Sequence, residues 1–403
     1  MNDTQLNDLI TWLADGARSA VRTDRFMAET CERMVASGIP LFRVGVFVRT
    51  LHPSMLGRNF IWRAGGELQI GSMAHGEDEG DEFLLSPLRQ VFYHGTEVRH
   101  RINADTASNI PILTDLRAEG NTDYIALPLH MSDGETHASS WTTRHPDGFS
   151  DGQLDALRRI MPSLTRMIEI HLLRRTASGL LDNYVGARAG ERILAGQIRR
   201  GHTETMQAVI WLSDLRGFTA LSDRLQPEHV VDILNSYFDC QVPAILAQGG
   251  EVLKFMGDGL LAVFPVAEDE GDLTSVCGRV LEAARASRAA VAQLRWAGTN
   301  LAEEQFRFGL ALHVGKVLYG NIGGGDRVDF TCIGPAVNLA ARLEKIAGKL
   351  SRTVVASSAF ADASAADWAD LGEFPIAGFA KAERVYGLAD EDLNPAGRAS
   401  RTV

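Results

Sequence analysis

Two aspartates carry the first chemical signal in this sequence of 403 residues. MQAVIWLSDLRGFT, 206–219, is an apolar strand that ends in Asp214 just before Gly217 and Phe218, where the chain must turn. A carboxylate at the end of a buried strand is well placed to meet a ligand. KFMGDGLLAVF, 254–264, is two short apolar runs joined by Gly257-Asp258-Gly259, which puts Asp258 at the tip of a predicted hairpin. Read alone, each aspartate is a turn or cap residue. Read together, they are two hard oxygen ligands of the kind Mg²⁺ or Mn²⁺ uses when it also binds substrate phosphates. Downstream, VDFTCIGPAVNLAARLE, 328–344, changes from a strand-like run through Gly334-Pro335 into a helix, where Asn338 and Arg342, four apart, share one face. An amide and a guanidinium aimed the same way suit a phosphate whose charge grows in a transition state; the plainer reading is a polar helix face.

The elements that must position these groups form the second part of the chain, about 205–390. Its length and composition, 45% hydrophobic and 23% charged with 39 Gly and 13 Pro, are those of a globular chain of two or three domains and exclude global disorder. The net charge of −11 gives no pull toward nucleic acid or anionic lipid and suits cations and cation-bound substrates. Cys31, Cys240, Cys277 and Cys332 form no CxxC or CxxH pair, so neither a disulfide framework nor a zinc knuckle is expected. The start has acidic residues where a signal peptide needs basic ones, and no apolar run approaches a membrane span, so a soluble cytoplasmic protein is expected.

Before the catalytic candidates, helical spacing over Leu6 to Val35 predicts one or two amphipathic helices. The alternation Phe42, Val44, Val46, Val48 predicts a strand, with FIWRAG, 60–65, as its neighbour. The acidic run of Glu77, Asp78, Glu79, Asp81 and Glu82 reads as a solvated loop. Residues 124–143 are two strand-like runs around Asp133-Gly134, and Ser150 with Gln153 has the capping-box spacing that starts a long helix, in which Pro162 is a kink candidate. Residues 176–204, rich in glycine and arginine, read as a connector, and 391–403 as a flexible tail. Residues 1–175 are thus a mixed α/β domain; their element order, with HPDGFSDGQLDALRRI, resembles a GAF-type sensory domain.

The segments around Asp214, Asp258 and Asn338, in this order and spacing, resemble the catalytic domain of the class III nucleotidyl cyclases over about residues 205–390. The connector's ERILAGQIRRG, 191–201, resembles the segment preceding such domains in bacterial cyclases. The resemblance implies an α+β domain with a ferredoxin-like βαββαβ core, working as a homodimer with active sites at the subunit interface. It implies that Asp214 and Asp258, with the carbonyl of Leu215, hold two Mg²⁺ or Mn²⁺ ions. Asn338 and Arg342 become transition-state residues given by the other subunit. Lys254 matches a purine-contacting lysine, and Thr331, three residues before Gly334, falls where many adenylate cyclases have aspartate. Threonine there is typical of a bacterial adenylate cyclase subgroup, whereas guanylate cyclases usually carry Glu in place of Lys254 and Cys in place of Thr331; Cys332 is one position off. Arg307 matches a triphosphate-binding position, and Lys381 lies near a further phosphate-binding lysine without fitting its spacing. The expected reaction is ATP to 3′,5′-cyclic AMP and pyrophosphate, with the N-terminal domain as a sensor for an unknown small-molecule regulator or as a dimerisation platform. A guanylate cyclase and a catalytically silent nucleotide-binding regulator are the alternatives.

Three other motifs fail. Five residues separate Gly309 from Gly315, and Val317 follows Lys316 where a P-loop needs Ser or Thr. Gly323-Gly324-Gly325-Asp326 is followed by Arg327 and Val328, not by the diguanylate cyclase signature, and reads as a turn. The eleven histidines include no HExxH pair.

Overall fold

The computed structural model describes residues 3–53, 55–74, 81–102, 109–266, 273–295 and 306–391. Glu77, Asp78 and Glu79 of the acidic run, the side chains of Asp81 and Glu82, and the tail beyond Glu391 lie outside the described set. The chain divides into two compact units, Met1–Leu180 and Leu181–Val403.

The first unit runs α1 (Asp3–Ala14), α2 (Thr23–Ala36), β1 (Arg43–Arg49), β2 (Met55–Arg63), β3 (Gln69–Ala74), α3 (Asp81–Leu84), α4 (Pro87–His94), β4 (Val98–Arg101), α5 (Pro111–Ala118), β5 (Asp123–His130), β6 (Thr136–Thr143) and α6 (Asp151–Val185), whose last residues pass into the second unit. Its strands form one antiparallel sheet in the order β3-β2-β1-β6-β5-β4. The alternation read from the sequence decides the faces. Val44, Val46 and Val48 pack with Ile125, Trp141 and the apolar stripes of α1, α2 and α6. The opposite face takes Val91 of α4 and Leu113 and Leu116 of α5 against Tyr124, Ala126 and Ala138. Gly134 turns the β5–β6 hairpin at φ 91°. Ser150 and Gln153 form the reciprocal cap of α6, at 3.3 and 3.0 Å. Val21 and Val35, read as part of the first apolar stripe, are instead exposed: Val21 falls between the two helices, and Val35 in the last turn of α2 points away from the core.

The second unit runs α7 (Ala187–Leu194), β7 (Thr203–Leu215), α8 (Phe218–Ser222), α9 (Pro227–Asp239), α10 (Val242–Ala247), β8 (Glu251–Met256), β9 (Gly259–Val266), α11 (Leu273–Gln293), β10 (Phe308–Gly324), β11 (Arg327–Ile333), α12 (Pro335–Lys349), β12 (Val354–Ser357), α13 (Ser358–Ala361), β13 (Trp368–Phe374) and β14 (Glu383–Leu388). The sheet order is β13-β14-β12-β10-β7-β9-β8, with β11 a hairpin partner of β10. Within it β10-β7-β9-β8, all antiparallel and crossed by α9 and α11, is a ferredoxin-like βαββαβ core. Gly325 and Asp326 lie in the tight connection between β10 and β11, a turn as read. Strand β7 is buried from Ala208 to Ser213 because helices cover both faces: Val209 and Trp211 pack toward α9 and α11, and Ala208, Ile210 and Leu212 toward α7 and α12.

His313 of β10 is 9% exposed, with Nδ1 2.8 Å from the hydroxyl oxygen of Ser357. That oxygen also accepts the Phe360 N–H, so the hydroxyl can donate to a neutral imidazole. Burial pushes His313 down to about 4. A folded-state value below the unfolded value of about 6.5 means that the unfolded chain takes up the proton first, so stability is lost as pH falls from about 6.5 to about 4, by ~3 kcal/mol in all. Urea unfolding at pH 7 and pH 4.5 should therefore show a larger acid loss in the wild type than in His313→Gln; equal losses would remove His313 as the cause.

Candidate active site

Asp214 lies one residue from the end of β7, opposite Gly259 on β9 and Gly309 on β10. Both neighbours lack a Cβ where the site is crowded. A Cβ on Gly259 would lie 3.4 Å from the Asp214 carboxylate, and one on Gly309 would overlap the Arg216 guanidinium. The Leu215 N–H points at the Asp258 carbonyl, 3.4 Å away, and Gly257 supplies the left-handed turn, φ 66°, that carries Asp258 beside the strand end. Both aspartates are half-buried. Burial first, then the Asp258 charge and then the Glu344 charge push the Asp214 carboxyl up to about 7. Two converging carboxylates that resist ionising together favour a cation.

The donor set fits hard divalent ions shared with a polyphosphate. Asp214, Asp258 and the backbone carbonyl of Leu215 are oxygen donors too few for a closed cage, which is the usual arrangement where phosphates complete the shell. Among the described residues no cluster of three or more His, Cys, Asp or Glu side chains could hold a metal by itself.

Behind Asp214 lies a buried polar group that sequence reading missed. The Ser213 hydroxyl donates to Gln241 Oε1 at 2.7 Å. The Tyr237 ring packs against Phe238 and Phe308. The only sequence signal was the four-residue spacing of Tyr237 and Gln241, which is shared by countless helix pairs. A second missed pair ties this strand end to α12. Arg216 donates its N–H to the Arg307 carbonyl at 2.8 Å. Its guanidinium lies 2.6 Å from Glu344 Oε1 and donates to the Glu344 carbonyl at 3.1 Å. Burial still raises the Glu344 carboxyl, with Arg216 offsetting part of the rise. Opposite charges inside the two quoted motifs, Arg216 in DLRG and Glu344 in AARLE, were the available signal.

The other candidates form separate groups within the chain. Lys254, exposed on β8, is paired with Asp329 of β11. The two-residue pleat puts Thr331 on the same face as Asp329, and turns Phe330 and Cys332, 5% and 3% exposed, into the core. Cys332 therefore cannot take the place of Thr331. Asn338 and Arg342 are both exposed on α12, whose inner face buries Leu339, Leu343 and Glu344. Among the described residues no hydrogen bond or ion pair joins either of them to Asp214 or Asp258 in the same chain. Arg307 is exposed just before β10, beside Arg216. Lys381 is exposed in the loop before β14.

Residues 202–387 match the family model described as the adenylate and guanylate cyclase catalytic domain. A stretch of 149 residues is 31% identical to an adenylate cyclase of Anabaena cylindrica, covering 36% of this chain and 28% of that protein. Another of 173 residues is 32% identical to adenylate cyclase 1 of Rhizobium meliloti, covering 42% of this chain and 25% of that protein. The chain thus spans about a quarter of the length of these curated relatives. Among solved structures, the adenylyl cyclase CyaB of P. aeruginosa is 26% identical with a TM-score of 0.40, over 47% of this chain and 97% of that one. The matched segment coincides with the βαββαβ core, so residues 202–387 are similar in sequence and in core topology to an adenylate and guanylate cyclase catalytic domain.

Proposed function

We propose that the chain is an adenylate cyclase, converting ATP to 3′,5′-cyclic AMP and pyrophosphate in sites formed between two copies of itself. The observation that carries this reading is the convergence of Asp214 and Asp258 at one strand end, with the Asp214 carboxyl raised to about 7 by burial and by its neighbours. Bound there, two Mg²⁺ or Mn²⁺ ions would neutralise the triphosphate and acidify the attacking ribose 3′-hydroxyl. Asp214, Asp258 and the Leu215 carbonyl hold that end of the substrate.

Lys254 and Thr331 contact the base. Asp329 fixes the Lys254 ammonium, and the Thr331 hydroxyl accepts a hydrogen bond from the adenine amino group. Asn338 and Arg342 reach from the second copy to the phosphate being transferred, where positioning and charge are most of what a protein contributes. Their exposure, and the lack among the described residues of a hydrogen bond or ion pair from either to the aspartates of the same chain, support a site completed by a partner. Arg307 holds the triphosphate. The first unit regulates the output of the second.

Purified protein should use ATP at least about tenfold faster than GTP, since a hydrogen-bonding base site rejects a base that mismatches its polar groups. The double variant Lys254→Glu, Thr331→Cys should shift the preference toward GTP. A wild type that prefers GTP would overturn the assignment of the base.

A further inference from the structure

The first unit contains a cavity of about 470 Å³, within the roughly 300–1,000 Å³ of small-molecule sites. It lies against the sheet face turned away from α1, α2 and α6. The two-residue pleat of β1 sends Val44, Val46 and Val48 into the core beneath those helices and leaves Arg43 and Phe47 on the cavity side. Pairing extends this face across three strands. Arg43 and Tyr124 both lie opposite Thr142, and one row on, Gly45 lies opposite Ser140.

The walls are apolar and aromatic, with Phe47, Leu56, Met73 and Phe92 among them. The floor is polar, and among the described residues its polar groups have no hydrogen-bond or ion-pair partners. Arg43, Tyr124 and Ser140 are 8%, 1% and 1% exposed. The Ser140 hydroxyl is buried without a hydrogen bond. Among the described residues neither the Arg43 guanidinium nor the Tyr124 hydroxyl has a hydrogen-bond or ion-pair partner. Gly45 keeps the floor open, since a Cβ there would lie 2.8 Å from the Ser140 oxygen.

A guanidinium cannot shed its charge by deprotonating, and a buried charge without a counter-ion is costly. Among the described residues no carboxylate pairs with it. Burial, then the Arg63 charge, push Arg43 below its ordinary value; Tyr124 and Glu119 act the other way, and Glu119 is itself paired with Arg63 at 3.6 Å. Among the described lining residues, Arg49 and Arg58 also face the cavity, against one carboxylate, that of Asp115.

We propose that this cavity binds a small organic anion, with its carboxylate, sulfonate or phosphate group held by Arg43 and the hydroxyls of Tyr124 and Ser140, and its aromatic or aliphatic body against Phe47 and Phe92. The forked guanidinium matches the paired oxygens of such a group, and the hydroxyls gain the hydrogen bonds they lack. The inference stands apart from the cyclase reading, because none of these residues belongs to the second unit.

Two fluorescent probes with the same body test it on the full chain: anilinonaphthalene sulfonate, which carries the anionic group, and N-phenylnaphthylamine, which does not. The sulfonate should bind one saturable site per chain, at least about tenfold more tightly than the neutral probe, the difference a charge-assisted pair provides. Arg43→Met, which keeps the stem and removes the charge, should erase that difference and leave the neutral probe unaffected. Ser140→Leu should fill the floor and exclude both. Melting curves verify that the variants fold, and if Arg43→Met does not, the comparison of wild type with Ser140→Leu still decides. No saturable sulfonate binding, equal affinity for the two probes in the wild type, or unchanged sulfonate binding in both variants would overturn the proposal.

Discussion

Asp258→Ala is expected to lower cyclic nucleotide formation by about three orders of magnitude or more, which corresponds to ~4 kcal/mol of lost transition-state stabilisation. The fold should survive. Asp258 sits at a hairpin tip, half-buried, while the register of β8 and β9 is set by Leu260, Ala262 and Phe264 packing into the core. Removing its charge also relieves the Asp214 carboxyl, which Asp258 helps to hold at about 7. The variant should therefore melt within a few degrees of the wild type, the shift produced by about 1 kcal/mol in a domain of this size. Activity assays with Mn²⁺ and with Mg²⁺, alongside melting curves, separate the lost ligand from a lost fold. Substantial activity in a folded Asp258→Ala protein would sink the metal-ligand role.

The second large effect is a rescue. Asp214→Ala and Arg342→Ala should each be nearly inactive, the arginine loss about 10³-fold if it acts on a phosphoryl-type transition state. Mixed in equal amounts with free exchange of subunits, half the dimers pair one of each. Each of those dimers has one intact site of two, so activity should recover to about a quarter of the wild type. The structural motive is the arrangement within one chain: Arg342 lies on the exposed face of α12, while the buried face of that helix is tied through Glu344 to Arg216, two residues after Asp214. No recovery, with exchange verified by differently tagged copies, would count against a shared site.

The aspartates were legible because each sits where an apolar run ends beside glycine, a purely local pattern. The shared exposed face of Asn338 and Arg342 followed from helical spacing, while the role proposed for them came from the resemblance of the whole segment. The residues missed are those whose meaning depends on strands distant in sequence. Asp329 matters only because β8 and β11 bring it to Lys254, 75 positions away. Glu344 matters only because Arg216 crosses to it over 128 positions. The alternation of β1 revealed its core face, Val44, Val46 and Val48, but its other face needed Tyr124 and Ser140 from partner strands before a cavity could be seen.

The stretch 176–204, read from its glycines and arginines as a connector, contains the end of α6 and all of α7. Gly179 lies inside α6 and Gly190 inside α7. At Gly190 the missing side chain serves close packing, since a Cβ would come within 2.9 Å of the Asp182 carboxylate. Gly186, Gly196 and Gly201, at φ 88°, 87° and 85°, are the glycines that turn the chain.

The most direct test of the proposed reaction is product analysis after incubating the purified chain with ATP and Mn²⁺, with Asp258→Ala as the blank. The expected result is 3′,5′-cyclic AMP and pyrophosphate in equal amounts, both lost in the blank. ADP or AMP in their place, or cyclic AMP formed equally by the blank, would contradict cyclisation at the Asp214–Asp258 site.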